Sequence, residues 1–178
     1  AIDGGEGADT LDFSTMASDL TITFHADGSV SVTDGTGLAG DIRNIENIIG
    51  GSGANTYVFE DGANLAGSIS GPGGVVLDYS ACGTGVVVDL ATGAATGTGG
   101  VSNVVRVTGG SGVDTLVGSG SDATWTISGP GSGSVAGVDF SGVENLTGGS
   151  GADTFAFSDG AVVTGTIDGG AGIDVLDY

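Results

Sequence analysis

Residues 148–155 read Gly148-Gly149-Ser150-Gly151-Ala152-Asp153-Thr154-Phe155, and residues 169–176 read Gly169-Gly170-Ala171-Gly172-Ile173-Asp174-Val175-Leu176, with 21 positions between the two starts. Each stretch places an aspartate after three glycines, and a large apolar residue two positions later. Such a pattern predicts a glycine corner followed by a short strand with one buried face. The spacing predicts that the corners stack on successive windings, each of about 20 residues, at roughly 4.8 Å per winding.

The same pattern recurs elsewhere in the chain. Residues 4–11 and 109–116 are full copies, and residues 50–57 form a near copy with Asn55 in place of aspartate. The five starts, at Gly4, Gly50, Gly109, Gly148 and Gly169, are unevenly spaced, so we expect some windings without the motif. Repetition of this kind is typical of a solenoid, in which each unit packs only on its neighbours.

The composition fits a packed, turn-rich chain. Glycine supplies 39 of the 178 residues, yet 39% are hydrophobic and only two are proline. The apolar content argues against a disordered chain, and glycine lacks the strict three-residue period of collagen. The single cysteine, Cys82, cannot form a disulfide within the chain.

The charge balance excludes several kinds of partner. The chain has 22 acidic residues against two arginines, Arg43 and Arg106, and a formal net charge of −20. Nucleic acids and anionic membranes bind through basic patches, so we expect neither as a partner. The excess of acid favours divalent cations.

The repeated stretch resembles the hemolysin-type, or RTX, calcium-binding repeat, whose nonapeptide is G-G-x-G-x-D-x-U-x with U a large apolar residue. The resemblance implies Ca²⁺ as the cofactor and the motif aspartates as ligands: Asp9, Asp114, Asp153 and Asp174. The text around Glu46-Asn47-Ile48 and Glu144-Asn145-Leu146 is also similar to large repetitive surface proteins and adhesins of bacteria. That likeness implies a secreted, extracellular protein at the cell surface.

The two corners that begin at Gly148 and Gly169 are the strongest predicted metal site. Stacked corners place Asp153 over Asp174, and two carboxylates one strand spacing apart repel unless a cation lies between them. Calcium takes about six to eight oxygen ligands, and glycine permits the positive φ that aims carbonyls at a cation. The further predicted ligands are Gly149, Gly151, Gly170, Gly172 and Asp168. In the RTX family the nonapeptides run in tandem, whereas here they are separated, which favours a wider β-helix.

Short alternating runs lie between the corners, for example residues 21–24, 29–32, 86–90 and 124–127. They predict an all-β fold, a right-handed parallel β-helix or β-solenoid of about 20 residues per coil, with residues 1–178 as one domain and without hairpins. Like residues should stack down its axis as one buried column. Its members are Leu11, Tyr57, Leu116, Phe155 and Leu176, then Phe13, Phe59, Phe157 and Tyr178, with Leu77 and Tyr79 from a copy without the acid.

Three functions fit these features. The first is a structural or adhesive segment that calcium stabilises, with a surface or polysaccharide ligand left open. The second is a filament subunit that stacks end to end with identical subunits or neighbouring repeats through uncapped strand edges. The third is a polysaccharide lyase or epimerase, which we disfavour because the cationic candidates Arg43, Arg106 and His25 lie far apart. We therefore predict no catalytic residues, and His25 as a surface strand residue.

Overall fold

The computed structural model describes residues 1–37 and 39–178, and these residues are all-β. Within them no helix is long and apolar enough to span a membrane. The strands are β1 Ile2–Asp3, β2 Thr10–Asp12, β3 Leu20–Phe24, β4 Val30–Thr33, β5 Ala39–Arg43, β6 Asn47–Ile49, β7 Asn55–Phe59, β8 Leu65–Ser70, β9 Val75–Asp78, β10 Val87–Asp89, β11 Ala94–Ala95, β12 Thr98–Val101, β13 Val104–Thr108, β14 Thr115–Val117, β15 Thr124–Gly129, β16 Ser132–Val135, β17 Val138–Ser141, β18 Asn145–Thr147, β19 Thr154–Phe157, β20 Ile167–Asp168 and β21 Val175–Asp177.

The strands form three sheets. Sheet A has 12 strands in the order β1-β5-β4-β3-β7-β9-β13-β17-β16-β15-β19-β21. Sheet B has the order β12-β8-β6-β2, and sheet C the order β11-β10-β14-β18-β20. Along much of the chain a strand of sheet A is followed by a strand of sheet B or C, with a turn between them. This alternation is consistent with a β-solenoid.

Most neighbouring strands are parallel. We call the stretch of chain from a residue to its partner on the next parallel strand a winding, and the strand registers give its length. Asn55 pairs with Val75, and Thr154 pairs with Val175, so these two windings have the length that the sequence predicts. Elsewhere the winding is longer, as between Thr124 and its partner Thr154. The predicted length therefore holds only where no extra strand or long loop is inserted.

The prediction of a coil without hairpins was wrong at three places. Strands β3, β4 and β5 form an antiparallel meander within sheet A, and so do β15, β16 and β17. Strands β10 and β11 pair antiparallel in sheet C. Each meander doubles the chain back before the parallel winding continues, which explains the longer register steps.

The core consists of one cluster of buried apolar side chains contributed by all three sheets. Strands alternate as predicted: in β3, Leu20, Ile22 and Phe24 are buried, whereas the threonines between them are only partly buried. Alternation of this kind directs one face of each strand into the core. Cys82 is also buried there as a free thiol.

Aromatic rings stack between successive windings, but they do not form one column. Phe59 lies between Phe24 and Tyr79, with ring centroids 4.6 and 4.8 Å away. Further along, Trp125 stacks on Phe155 at 5.5 Å. The predicted single column is wrong because three of its members lie away from sheet A. These are Leu11 in sheet B, Phe13 directly after the same strand, and Leu116 in sheet C.

Candidate metal centre at the stacked glycine turns

The two turns with the closest spacing in the sequence both lead from sheet C into sheet A. Residues 148–153 connect β18 to β19, and residues 169–174 connect β20 to β21. Strands β19 and β21 pair in parallel with Phe155 opposite Leu176, so Asp153 and Asp174 occupy equivalent positions on adjacent windings. The turns therefore stack, as their spacing predicts.

Glycine is needed in these turns because they pack backbone against backbone. A β-carbon added at Gly170 would collide with the carbonyl oxygen of Gly149, and one at Gly172 with that of Gly151. The N–H of Ala171 donates to the Gly149 carbonyl at 2.9 Å. Gly149, Gly170 and Gly172 have positive φ values of 121°, 85° and 127°. Three of the four residues predicted to supply carbonyl ligands thus have the positive φ that favours glycine, and Gly151 does not.

Asp153 is fully buried and only partly satisfied. Its Oδ1 accepts a 2.9 Å hydrogen bond from the N–H of Ala123, on the preceding winding. Its Oδ2 is enclosed and has no hydrogen-bond partner among residues 1–37 and 39–178. Burial raises the pKa of Asp153, the Ala123 N–H opposes that rise, and the charges of Asp174 and Asp122 add to it. Among the described residues, Oδ2 of Asp153 therefore lacks the hydrogen-bond donor or cation that a buried carboxylate requires.

Asp174 and Asp168 are both more accessible than Asp153. Oδ1 of Asp174 accepts a 3.0 Å hydrogen bond from the N–H of Asp153, and the Asp174 side chain is half-buried. Asp168 is exposed, and its Oδ1 accepts a 3.0 Å hydrogen bond from the N–H of Gly170. Asp168 therefore fixes the entry to the second turn.

The structure does not bring Asp9 and Asp114 to this pair. Both lie in turns that lead out of sheet A, Asp9 between β1 and β2 and Asp114 between β13 and β14. Asp114 is buried, and both of its carboxylate oxygens accept hydrogen bonds. Oδ1 accepts from the N–H of Val86 at 2.8 Å, and Oδ2 from the N–H of Gly110 at 2.7 Å. Asp9 is half-buried, and its enclosed Oδ2 has no hydrogen-bond partner in the described part of the chain.

The five copies of the motif fall into two classes. In the closed turns, at residues 50–55 and 109–114, the second glycine donates its N–H to the side chain of Asn55 or Asp114. In the open turns the second glycine has positive φ: 92° at Gly5, 121° at Gly149 and 85° at Gly170. The enclosed carboxylate oxygens without a described partner both belong to open turns, which makes open turns the better candidates for a cation.

Glu46 and Glu144 belong to the surroundings of the motif, and sequence reasoning missed them. The N–H of Asp9 donates to Oε2 of Glu46, and the N–H of Asp114 to Oε2 of Glu144, both at 2.8 Å. Each glutamate occupies the position equivalent to the aspartate on the next winding. The Glu-Asn dipeptide that both segments share is the sequence signal that could have identified these glutamates as neighbours of the motif.

The 148–153 and 169–174 turns offer few carboxylate ligands for a metal ion. Across the described residues no three His, Cys, Asp or Glu side chains are grouped closely enough to hold a metal ion. A cation bound by Asp153 and Asp174 would therefore need carbonyl or water oxygens to complete its shell, which calcium accepts readily.

Comparison with known proteins found no matching family model, no similar curated protein and no similar solved structure.

Proposed function

We propose that this chain is an extracellular structural or adhesive segment, wound as a right-handed β-solenoid, which calcium stabilises at the open turns 148–153 and 169–174. The observation that carries the proposal is the buried carboxylate of Asp153, whose Oδ2 has no hydrogen-bond partner in the described structure. A carboxylate in that state is costly unless a cation or a donor meets it.

The stacked turns supply suitable oxygens for such a cation. Asp153 would be the central ligand, with Asp174 on the next winding and the carbonyls of Gly149, Gly170 and Gly172 as further donors. Calcium would neutralise the repulsion between the two acids and link two windings that otherwise meet through backbone contacts. Magnesium, which demands near-ideal octahedral geometry, fits a flexible set of carbonyls less well.

The charge distribution favours a structural role over an enzymatic one. Both arginines are held by acids of the chain itself: Arg43 by Asp27 and Asp41 at 2.9 and 2.7 Å, and Arg106 by Asp139 at 3.1 Å. A lyase of acidic polysaccharides needs a cationic side chain that can turn to the substrate. The remaining acids give a surface that attracts divalent cations.

Circular dichroism tests the proposal on the whole chain. We expect the melting temperature to fall in EDTA and to rise again with millimolar calcium, because a ligand of the native state stabilises it by mass action. Magnesium at the same concentration should restore less. An identical melting curve with and without calcium would remove the metal from the account.

A further inference from the structure

Three side chains at the outer face of sheet A form a continuous hydrogen-bonded chain: His25 directly after β3, Ser31 in β4 and Glu60 directly after β7. The prediction of His25 as a strand residue was wrong, because β3 ends at Phe24. The Nε2 atom of His25 lies 2.9 Å from Oγ of Ser31, and its Nδ1 atom lies 2.8 Å from Oε1 of Glu60. His25 is the single histidine of the sequence. The side chains of His25 and Glu60 are 32% and 45% exposed, so solvent reaches the chain of hydrogen bonds.

The strand registers bring these residues together from distant positions. Thr23 pairs with Ser31 across β3 and β4, so His25, two residues after Thr23, is a diagonal neighbour of Ser31 on the same face. Phe24 pairs with Phe59 across β3 and β7, which places Glu60 beside His25. The backbone of His25 is fixed as well, because its N–H donates to Ser29 and its carbonyl accepts from Gly28, both at 2.9 Å.

The direction of the hydrogen bonds follows from the state of Glu60. Hydrogen bonds from His25 and from the N–H of Ala26 lower the pKa of Glu60, so its carboxylate is ionised and can only accept. Nδ1 of the neutral imidazole must then carry the proton, and Nε2 presents its lone pair. Ser31 consequently donates its hydroxyl proton to Nε2.

We infer that Ser31, His25 and Glu60 form a nucleophilic site that accepts acyl groups from small activated esters. The roles match those of a serine–histidine–carboxylate triad, which is recognised by geometry rather than by sequence order. Ser31 is the nucleophile, His25 the general base, and Glu60 the group that holds the imidazole in its tautomer. Because the site lies on an open sheet face, small esters fit it better than a substrate that needs a deep pocket. This activity is independent of the proposed calcium sites.

The reaction has two balanced steps. The Ser31 oxygen attacks the ester carbonyl while its proton passes to Nε2 of His25, the bond to the alcohol oxygen breaks, and the alcohol leaves with that proton. Water, deprotonated by His25, then attacks the acyl-serine, and the proton returns to the Ser31 oxygen as the acid is released. Base catalysis of this kind contributes about 10²–10⁴-fold, so we expect a slow esterase.

A biotinylated fluorophosphonate tests the nucleophile directly on the full chain. Ser31 attacks phosphorus, fluoride leaves, and the hydroxyl proton is lost through His25 to solvent, which leaves a stable adduct. Peptide mapping by mass spectrometry should place the adduct on Ser31. Ser31→Ala should abolish labelling, and His25→Gln should slow it by about 10²-fold, the lower limit of general base catalysis. Glu60→Gln should slow it less, while the exposed serine variant Ser158→Ala labels like wild type.

A catalytic readout separates this role from a merely structural one. Hydrolysis of p-nitrophenyl acetate should be lost in Ser31→Ala, slowed by about 10²-fold in His25→Gln and unchanged in Ser158→Ala. Circular dichroism confirms that each variant retains its fold. Labelling spread evenly over the serines, no labelling at all, or labelling of Ser31 that His25→Gln leaves unchanged would each overturn the inference.

Discussion

The main-chain N–H of Asp153 donates a 3.0 Å hydrogen bond to Oδ1 of Asp174, the equivalent residue of the next winding. The same arrangement recurs one winding earlier, where the N–H of Ala123 donates to Oδ1 of Asp153. Each acid thus accepts a backbone bond across the gap between windings through one oxygen. The second oxygen of Asp153 is left in a buried position, and the predictions about the metal centre depend on that oxygen.

Removing the charge of Asp153 should stabilise the metal-free chain at neutral pH. Asn at this position keeps the acceptor for the Ala123 N–H and removes the buried charge. We expect Asp153→Asn to raise the melting temperature in EDTA by about 2–4 °C, which corresponds to ~1 kcal/mol in a domain of this size. Differential scanning calorimetry measures the shift, and Asp159→Asn, at an exposed position, serves as the charge-matched control.

The pH dependence of that difference follows from the raised pKa of Asp153. A group whose pKa is higher in the folded than in the unfolded chain contributes stability that is fully present below the unfolded value, here 3.8. This contribution is lost as pH rises through the folded pKa. The advantage of Asp153→Asn in EDTA should therefore be largest at neutral pH and disappear below pH 3.8. An advantage that persists unchanged into acid would contradict burial as its cause.

Substitution of Gly170 should reveal the tight packing between the stacked turns. Gly170→Ala both forces a left-handed conformation on alanine and pushes a β-carbon into the Gly149 carbonyl. Gly160→Ala is the matched control, because Gly160 also has positive φ, at 77°, but its β-carbon would meet nothing within 4 Å. The control should cost about 1–2 kcal/mol for the backbone alone. Urea denaturation should show a larger loss for Gly170→Ala, and equal losses would exclude the close contact.

The aromatic stack should be a principal source of core stability. Phe59→Ala removes a fully buried ring that stacks on Phe24 and Tyr79, and should cost about 3–5 kcal/mol in the free energy of unfolding. Tyr178→Ala removes an aromatic ring that also stacks, on Phe157, but is 86% exposed. Tyr178→Ala should lower the free energy of unfolding by less than about 1 kcal/mol, because the exposed Tyr178 ring buries less apolar area on folding. Similar costs for both would mean that the stack is not the core.

The sequence allowed the strand class and the stacking of the last two glycine turns to be predicted. Glycine corners followed by alternating apolar residues define short strands, and the spacing from Asp153 to Asp174 can place equivalent residues on adjacent parallel strands. The meanders were missed although the first has turn chemistry of its own. Asp27-Gly28 follows β3 and Asp34-Gly35 follows β4, with Gly28 and Gly35 at positive φ. Such Asp-Gly pairs are a hairpin signal.

The surroundings of the motif were harder to predict because they come from other windings. Glu46 and Glu144 lie 37 and 30 positions beyond Asp9 and Asp114, and meet them only in the folded chain. The difference between closed and open turns depends on the φ of the second glycine, which the shared sequence pattern does not determine. Likewise, His25 meets Glu60 only through the pairing of β3 with β7. A sequence pattern describes each turn alone, whereas the neighbouring winding sets its chemistry.

Isothermal titration calorimetry with calcium tests the metal centre most directly, on wild type, Asp153→Asn and Asp114→Asn. Wild type should bind with a dissociation constant on the order of 10⁻⁴–10⁻³ M, as extracellular calcium modules do. Asp153→Asn should weaken binding at least about tenfold, because the ion loses its buried ligand. Asp114→Asn removes an equally buried acid whose oxygens are already bonded, and should bind like wild type. Undiminished binding by Asp153→Asn, or no binding by any of the three, would contradict the account.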